Sequence, residues 1–180
     1  MNSFGLDLDR KFQRPVVKLA NFNNFNALID TGSVFPVWTT SEDILKSING
    51  VCVKESFTFS GFGGRANGKL YTIPMLKVGD FVYPNMHIIF SIDSINEKWD
   101  LILSATMFNG LKYEIDNIEN KFRVYYKNEQ DKIRNVLIQG SDNNIKVFTS
   151  LGNININKKD VKRNEQADLA ALFNDYINNK

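Results

Sequence analysis

A carboxylate, a small hydroxyl residue and a glycine stand in a row at Asp30-Thr31-Gly32, directly after the apolar run Phe25-Asn26-Ala27-Leu28-Ile29. Such a run reads as a buried strand, and that strand would deliver Asp30 into a cleft. Thr31-Gly32-Ser33 would then turn the chain sharply and supply hydrogen-bond donors around the carboxylate. A carboxylate so placed can take up and release protons, so the chemistry it suits is acid–base hydrolysis.

Other routes to catalysis are thinly furnished. The chain has one cysteine, Cys52, and one histidine, His87. A Cys–His pair or a Ser–His–Asp triad would need one or both of them in the right place. Cys52 reads instead as a small strand hydrophobe, and a lone cysteine excludes an intramolecular disulfide. His87 lies in Met86-His87-Ile88-Ile89-Phe90, beside an apolar run, and reads as structural. Zinc would need several Cys or His ligands, so neither a metal nor another cofactor is expected. Asp43, Asp93 and Asp100 read as surface or turn acids.

Elements must position Asp30, and the patterning supplies them. Val16-Val17-Lys18-Leu19-Ala20 and Phe25 to Ile29 flank Asn21-Phe22-Asn23-Asn24, which is turn chemistry and predicts a hairpin ending at Asp30. Val34-Phe35-Pro36-Val37-Trp38 is a further extended run, with Pro36 pointing to an irregular or edge strand. Ser41 can cap a short helix that begins with Glu42 and Asp43 and ends near Gly50. Glu55 to Phe59 and Leu70 to Val78 alternate as half-buried strands, around a glycine-rich loop from Ser60 to Gly68. Strands follow at Phe81–Tyr83, Met86–Phe90 and Trp99–Leu103, then a helical turn over Ser104–Phe108 closed by Asn109-Gly110. Leu111 to Asp116 and Lys121 to Tyr126 make a second hairpin. Val136–Gln139 and Ile145–Phe148 are weaker strands, 152–160 reads as a connector, and the apolar spacing over 164–177 predicts an amphipathic helix. The sum is an all-β, single-domain barrel with little helix.

Bulk properties narrow the function classes. At 180 residues and 43% apolar content the chain can bury the core of one domain. A net charge of +2 leaves no electrostatic footprint for nucleic acid. No run of 18 apolar residues is present, so no membrane span is expected. Residues 1–10 carry acids where a signal peptide needs a basic segment and an apolar core, and a cytoplasmic setting is the expectation.

Three stretches, in order, resemble one family. Asp30-Thr31-Gly32-Ser33 after Ala27-Leu28-Ile29 resembles the active-site signature of aspartic proteases. Phe59-Ser60-Gly61-Phe62-Gly63-Gly64 resembles the glycine-rich flap of the retropepsin-like (retroviral-type) members, with Phe62 at the tip. Ile102 to Phe108 resembles their second apolar loop and the helical turn behind it. The resemblance covers roughly 15–126. It departs at Ser104, where the family has glycine, so this loop must adopt an ordinary backbone conformation or carry strain.

What the resemblance implies is an acid-protease barrel with a flap hairpin, one short helix after the second loop and a C-terminal helix. The domain spans 15–126, after an N-terminal arm of little independent structure (1–14) and before an extension of strands and a short helix packed on it (127–180). Two facing carboxylates are needed for peptide hydrolysis, one protonated and one ionised. The chain has one such motif, so a homodimer must supply the second Asp30. By resemblance, Thr31 reaches across the dimer axis, and Gly32 lets backbone approach the carboxylate and the substrate. Ser33 can donate to the Asp30 carboxylate, which favours its ionised form and predicts activity weighted to acidic pH. Gly61, Phe62, Gly63 and Gly64 would close over an extended polypeptide substrate. Leu28, Val34, Phe35, Val37 and Ile102 are candidates for apolar side-chain pockets. A protease-like module kept for dimerisation or peptide binding, without turnover, is the alternative.

Overall fold

The computed structural model describes residues 1–20, 22–61, 64–93, 98–141, 144–150 and 152–157. The helix expected over 164–177 lies outside them. Thirteen strands are described: β1 (Asn2–Asp7), β2 (Val16–Leu19), β3 (Phe25–Asp30), β4 (Val37–Trp38), β5 (Val51–Gly61), β6 (Gly64–Val78), β7 (Phe81–Ser91), β8 (Leu101–Ser104), β9 (Lys112–Asp116), β10 (Lys121–Tyr126), β11 (Val136–Ser141), β12 (Asn144–Thr149) and β13 (Gly152–Asn157). Helix α1 (Glu42–Ser47) and 3-10 turns at Ala105–Phe108 and Glu129–Lys132 interrupt them. No helix among the described residues is long and apolar enough to cross a membrane.

The central sheet has seven strands in the order β2-β3-β8-β4-β7-β6-β5. Its unusual step is β8, which enters between β3 and β4 although some seventy residues separate it from β3 in the chain. It runs parallel to β3, pairing Leu28 with Ile102 and Asp30 with Ser104, and antiparallel to β4. Leu101, Leu103 and Ser104 of this inner strand are fully buried, and Ile102 is partly buried. The β2–β3 hairpin closes as its asparagines predict. Asn23 and Asn24 both have left-handed backbone (φ 50° and 54°), and the Phe25 amide bonds the Phe22 carbonyl, as in a type I′ turn. Ser41 caps α1 by accepting the Asp43 amide on its hydroxyl.

Four expectations need correction. Residues 2–7 are not a loose arm: they form β1, paired to β10, and Leu8 bridges to Val17. Gly152–Asn157 is no connector but β13, the outer strand of a sheet ordered β11-β12-β13. The run at 34–38 contracts to the two-residue β4, and it lies inside the sheet, not at an edge. It begins directly after Pro36, whose carbonyl accepts the Ile89 amide, so the missing N–H of proline costs no ladder bond. The glycine-rich loop from Ser60 to Gly68 is mostly strand, since pairing of β5 with β6 runs out to Gly61 opposite Gly64. Gly68 serves packing: a Cβ there would meet the Phe90 carbonyl oxygen at 2.4 Å.

One continuous core underlies the sheets, with Trp38, Tyr71, Phe81, Tyr83, Phe108 and Phe122 among its fully buried large side chains. The strands after 127 share it through Val136, Ile138, Ile145 and Val147. They dock on β7, where the Arg134 amide bonds the Val82 carbonyl and the Ile138 amide bonds Nδ1 of His87.

Candidate active site

Asp30 is the last residue of β3, and the pleat decides what surrounds it. Successive side chains of a strand point to opposite faces, so Phe25, Ala27 and Ile29 turn to the core while Asn26, Leu28 and Asp30 share the other face. The register with β8 places Ile102 beside Leu28 and Ser104 beside Asp30. The carboxylate therefore stands half-buried at the edge of an apolar patch made by Leu28 and Ile102.

The loop after Asp30 holds its carboxylate by the backbone. The Gly32 amide donates to Oδ1 at 2.9 Å, and the Ser33 amide donates to the Asp30 carbonyl at 3.2 Å. Glycine suits position 32 because a Cβ there would lie 3.3 Å from Oδ1, tighter than side chains normally pack. The Ser33 hydroxyl does not reach the carboxylate. It donates to the Phe35 carbonyl at 2.7 Å, so within one chain its task is to shape the loop. Thr31 and Gly32 are exposed.

A second set of bonds ties this loop to the 3-10 turn. The Ala105 amide donates to the Ser33 carbonyl at 3.0 Å, and the Thr106 hydroxyl donates to the Val34 carbonyl at 2.7 Å. With the Thr106 proton committed there, the buried Ser104 hydroxyl donates to Thr106 Oγ1, 2.7 Å away. Ser104 itself has φ −84° and ψ 159°, ordinary extended backbone, so the serine brings no strain. Its hydroxyl gains a partner that glycine could not provide.

The remaining residues singled out from the sequence divide between patch, core and hairpin. Val34 and Ile102 are partly buried, and Leu28 is buried on the Asp30 face. Phe35 and Val37 belong to the continuous core, and Phe35 packs edge-on against Phe57 at the base of the β5–β6 hairpin. Gly61 and Gly64 face each other across that hairpin, and Phe62 and Gly63 lie outside the described residues.

Sequence reasoning passed over two contributors. Asp100, taken for a turn or surface acid, accepts the Asn26 amide on Oδ2 at 3.0 Å and extends the β3–β8 pairing backwards. Thr106 was read only as part of a helical turn, yet it joins the turn to the loop of Asp30. A threonine set among apolar residues, two positions past the strand end, was the available signal. Among the described residues no group of three or more His, Cys, Asp or Glu side chains gathers to hold a metal ion.

No family model matches the chain, and no curated protein matches it in sequence. Among solved structures it is similar to a retropepsin-like aspartic protease from Rickettsia conorii. The two share 13% identity with a TM-score of 0.47, over 69% of this chain and 91% of that one. The function has to be read from this chain's own residues.

Proposed function

We propose that two copies of this chain form an aspartic endopeptidase that cleaves extended polypeptide, each copy contributing Asp30. One observation carries this reading. Asp30 stands half-exposed at the end of a central strand, its carboxylate fixed by the Gly32 amide and its loop pinned by Ala105 and Thr106. The amide bond alone is ordinary turn chemistry, seen also at Asp9 and Asp116; what sets Asp30 apart is the tie from its loop to the 3-10 turn. The sequence holds a single Asp-Thr-Gly, so the second carboxylate comes from a second copy across a two-fold axis.

The chemistry follows from two acids too close to ionise together. The ionised carboxylate takes a proton from a water whose oxygen bonds to the scissile carbonyl carbon. The protonated carboxyl gives its proton to the carbonyl oxygen, and a tetrahedral diol results. The carbon–nitrogen bond then breaks as the nitrogen receives a proton and the diol re-forms a carboxyl group. The pair titrates as a unit. Thr31, exposed beside the axis, is assigned to hold the two loops together. Leu28, Val34 and Ile102 are assigned to apolar side chains of the substrate. The β5–β6 hairpin, with Gly61 to Gly64 at its end, is assigned to cover the bound chain as an added strand. The working barrel is 15–126, braced by β1 and by the strands after 127, and a cytoplasmic setting is part of the proposal.

The test combines mass and turnover. The purified protein should run at twice the 20.6 kDa of one chain and cleave unfolded casein or a peptide library. Asp30→Asn should lower cleavage by about a thousandfold or more while preserving the mass. Cleavage that survives in that variant, or a strict monomer that cleaves, sinks the proposal. A dimer that binds peptide without turnover favours the non-catalytic alternative.

A further inference from the structure

Arg134 is a buried cation with no task in the scheme above. It is 2% exposed, yet no carboxylate among the described residues lies within ion-pairing distance, and its Nε has no hydrogen-bond partner. Asp131 acts on it only as a charge nearby, and burial pulls its pKa below the usual guanidinium range. A bare charge in a core is costly unless hydrogen bonds and polarisable groups replace water, so what it touches is informative.

It reaches one element directly, and a neighbouring side chain reaches the same element. Its terminal nitrogen donates to the Asn109 carbonyl at 2.5 Å, at the end of the 3-10 turn. Tyr83, whose side chain lies near enough to act on the guanidinium, donates its hydroxyl to the Met107 carbonyl at 2.9 Å. The guanidinium is seated over the Phe81 ring, 5.9 Å from its centre. Both carbonyls belong to the C-terminal end of Ala105–Phe108, where unpaired carbonyl groups and the turn's dipole favour a cation. Asn109 is held again from the C-terminal strands, since its Nδ2 donates to Thr149 Oγ1 at 2.9 Å.

The other end of the same turn carries the loop of Asp30, through Ala105 to Ser33 and Thr106 to Val34. From these contacts we infer that Arg134 is a positioning residue for Asp30, acting through the turn Ala105–Phe108 as a strut. The segment after 127 thereby acquires a role in the reaction as well as in covering the barrel. A four-residue turn has little stiffness of its own and must be clamped at both ends to hold a loop to a fraction of an ångström. Arginine suits this better than lysine, because its planar guanidinium lies over the Phe81 ring while it donates to the Asn109 carbonyl.

This inference rests on the catalytic reading of Asp30, so its test needs one arm independent of activity. Arg134→Met keeps most of the volume and removes the guanidinium, while Arg134→Lys keeps the charge without the planar group. Val136→Ala truncates a fully buried neighbour that makes no bond to the turn, and it controls for general destabilisation. For Arg134→Met the expected result is an unchanged dimer mass, KM within about twofold and kcat lower by about tenfold or more. Exchange of the Ala105 amide should quicken relative to the Ile29 amide, which bonds Pro15 and not the turn. Arg134→Lys should fall between, and Val136→Ala should leave kcat and that exchange ratio unchanged. Should Arg134→Met not fold, Arg134→Lys decides by the same two readouts. A variant at 134 that matches Val136→Ala in both overturns the inference. If the wild-type protein cleaves nothing, the protease reading falls, and the exchange ratio still judges the strut.

Discussion

Gly32 is placed to show how finely the Asp30 carboxylate is set. Its backbone is not in the left-handed region, so the glycine is not needed for conformation; what it supplies is room, since a Cβ would press on Oδ1 from 3.3 Å. Gly32→Ala should therefore leave the thermal midpoint nearly unchanged, a cost of about 1 kcal/mol or less for an exposed loop. It should nevertheless lower kcat/KM by about tenfold or more, because the carboxylate must shift to accommodate the methyl. A variant that is fully active, or one that loses stability in proportion to activity, contradicts this account of the loop. The motif itself was legible in the sequence because it is local: strand, acid, hydroxyl, glycine. The partner of the Ser33 hydroxyl was not legible. Whether that proton goes to Asp30 or to Phe35 depends on backbone angles that no residue type specifies, and the structure sends it to the Phe35 carbonyl. An acid-weighted optimum can no longer be argued from Ser33.

Among the elements, β1 is the one whose role the sequence hid. Its residues Asn2–Asp7 are exposed or half-buried in alternation and carry too few apolar groups to announce a strand. They are ordered by pairing with β10, which lies far along the chain, and by Phe4, which meets Phe81 edge-on with ring centres 4.9 Å apart. Non-local pairing of this kind leaves no periodic trace, and the same applies to β8 entering between β3 and β4. Hairpins, by contrast, announce themselves, as Asn23-Asn24 did. Gly68 misled because glycine marks close packing as well as turns. Phe4 also fills the space over Gly79, the left-handed turn residue (φ 57°) between β6 and β7, where a Cβ would lie 2.2 Å from the Phe4 ring. Phe4→Ala should destabilise the protein by about 2–3 kcal/mol, toward the low end for a large-to-small change because the ring is only partly buried. Gly79→Ala should cost more than its backbone strain alone. In the double variant the clash has gone, so the two costs should sum to more than the measured total by about 1 kcal/mol or more. Strict additivity in urea unfolding would show that β1 does not sit on that turn.

For the whole molecule, the consequence is a loss of stability on the acid side in two separate stages. The first belongs to His87, the only described link between β7 and β11 made by a side chain that titrates near neutrality. Nδ1 lies 2.9 Å from the Ile138 amide and 3.1 Å from the Ile138 carbonyl oxygen, so it accepts from the first when unprotonated and donates to the second when protonated. Burial lowers the pKa of the imidazole below its ordinary value, with that donation opposing. The folded chain thus keeps His87 neutral where the unfolded chain protonates it. Its contribution is complete above about pH 6.5 and is lost as pH falls through the lower folded value. The second stage belongs to carboxylates whose folded pKa values are also lowered. Glu42 is lowered by the Tyr71 hydroxyl and then Lys69, Asp116 by the Glu119 amide and then Arg123, and Asp131 by the Asn128 and Lys127 amides. Their contribution is present above about pH 4.5 and is lost below it as they protonate. Urea midpoints measured from pH 8 to 3 should therefore begin to fall below about pH 6.5 and fall further below about 4.5. His87→Gln, which can still accept the Ile138 amide, should abolish the first fall and leave the second. If the midpoint is flat between pH 7 and 5, or if the glutamine variant keeps the same slope there, His87 is not what couples the C-terminal strands to the barrel. A dyad that shares one proton favours acid, while this latch favours neutrality, so the acid limb of any pH–rate profile should move outward in the glutamine variant.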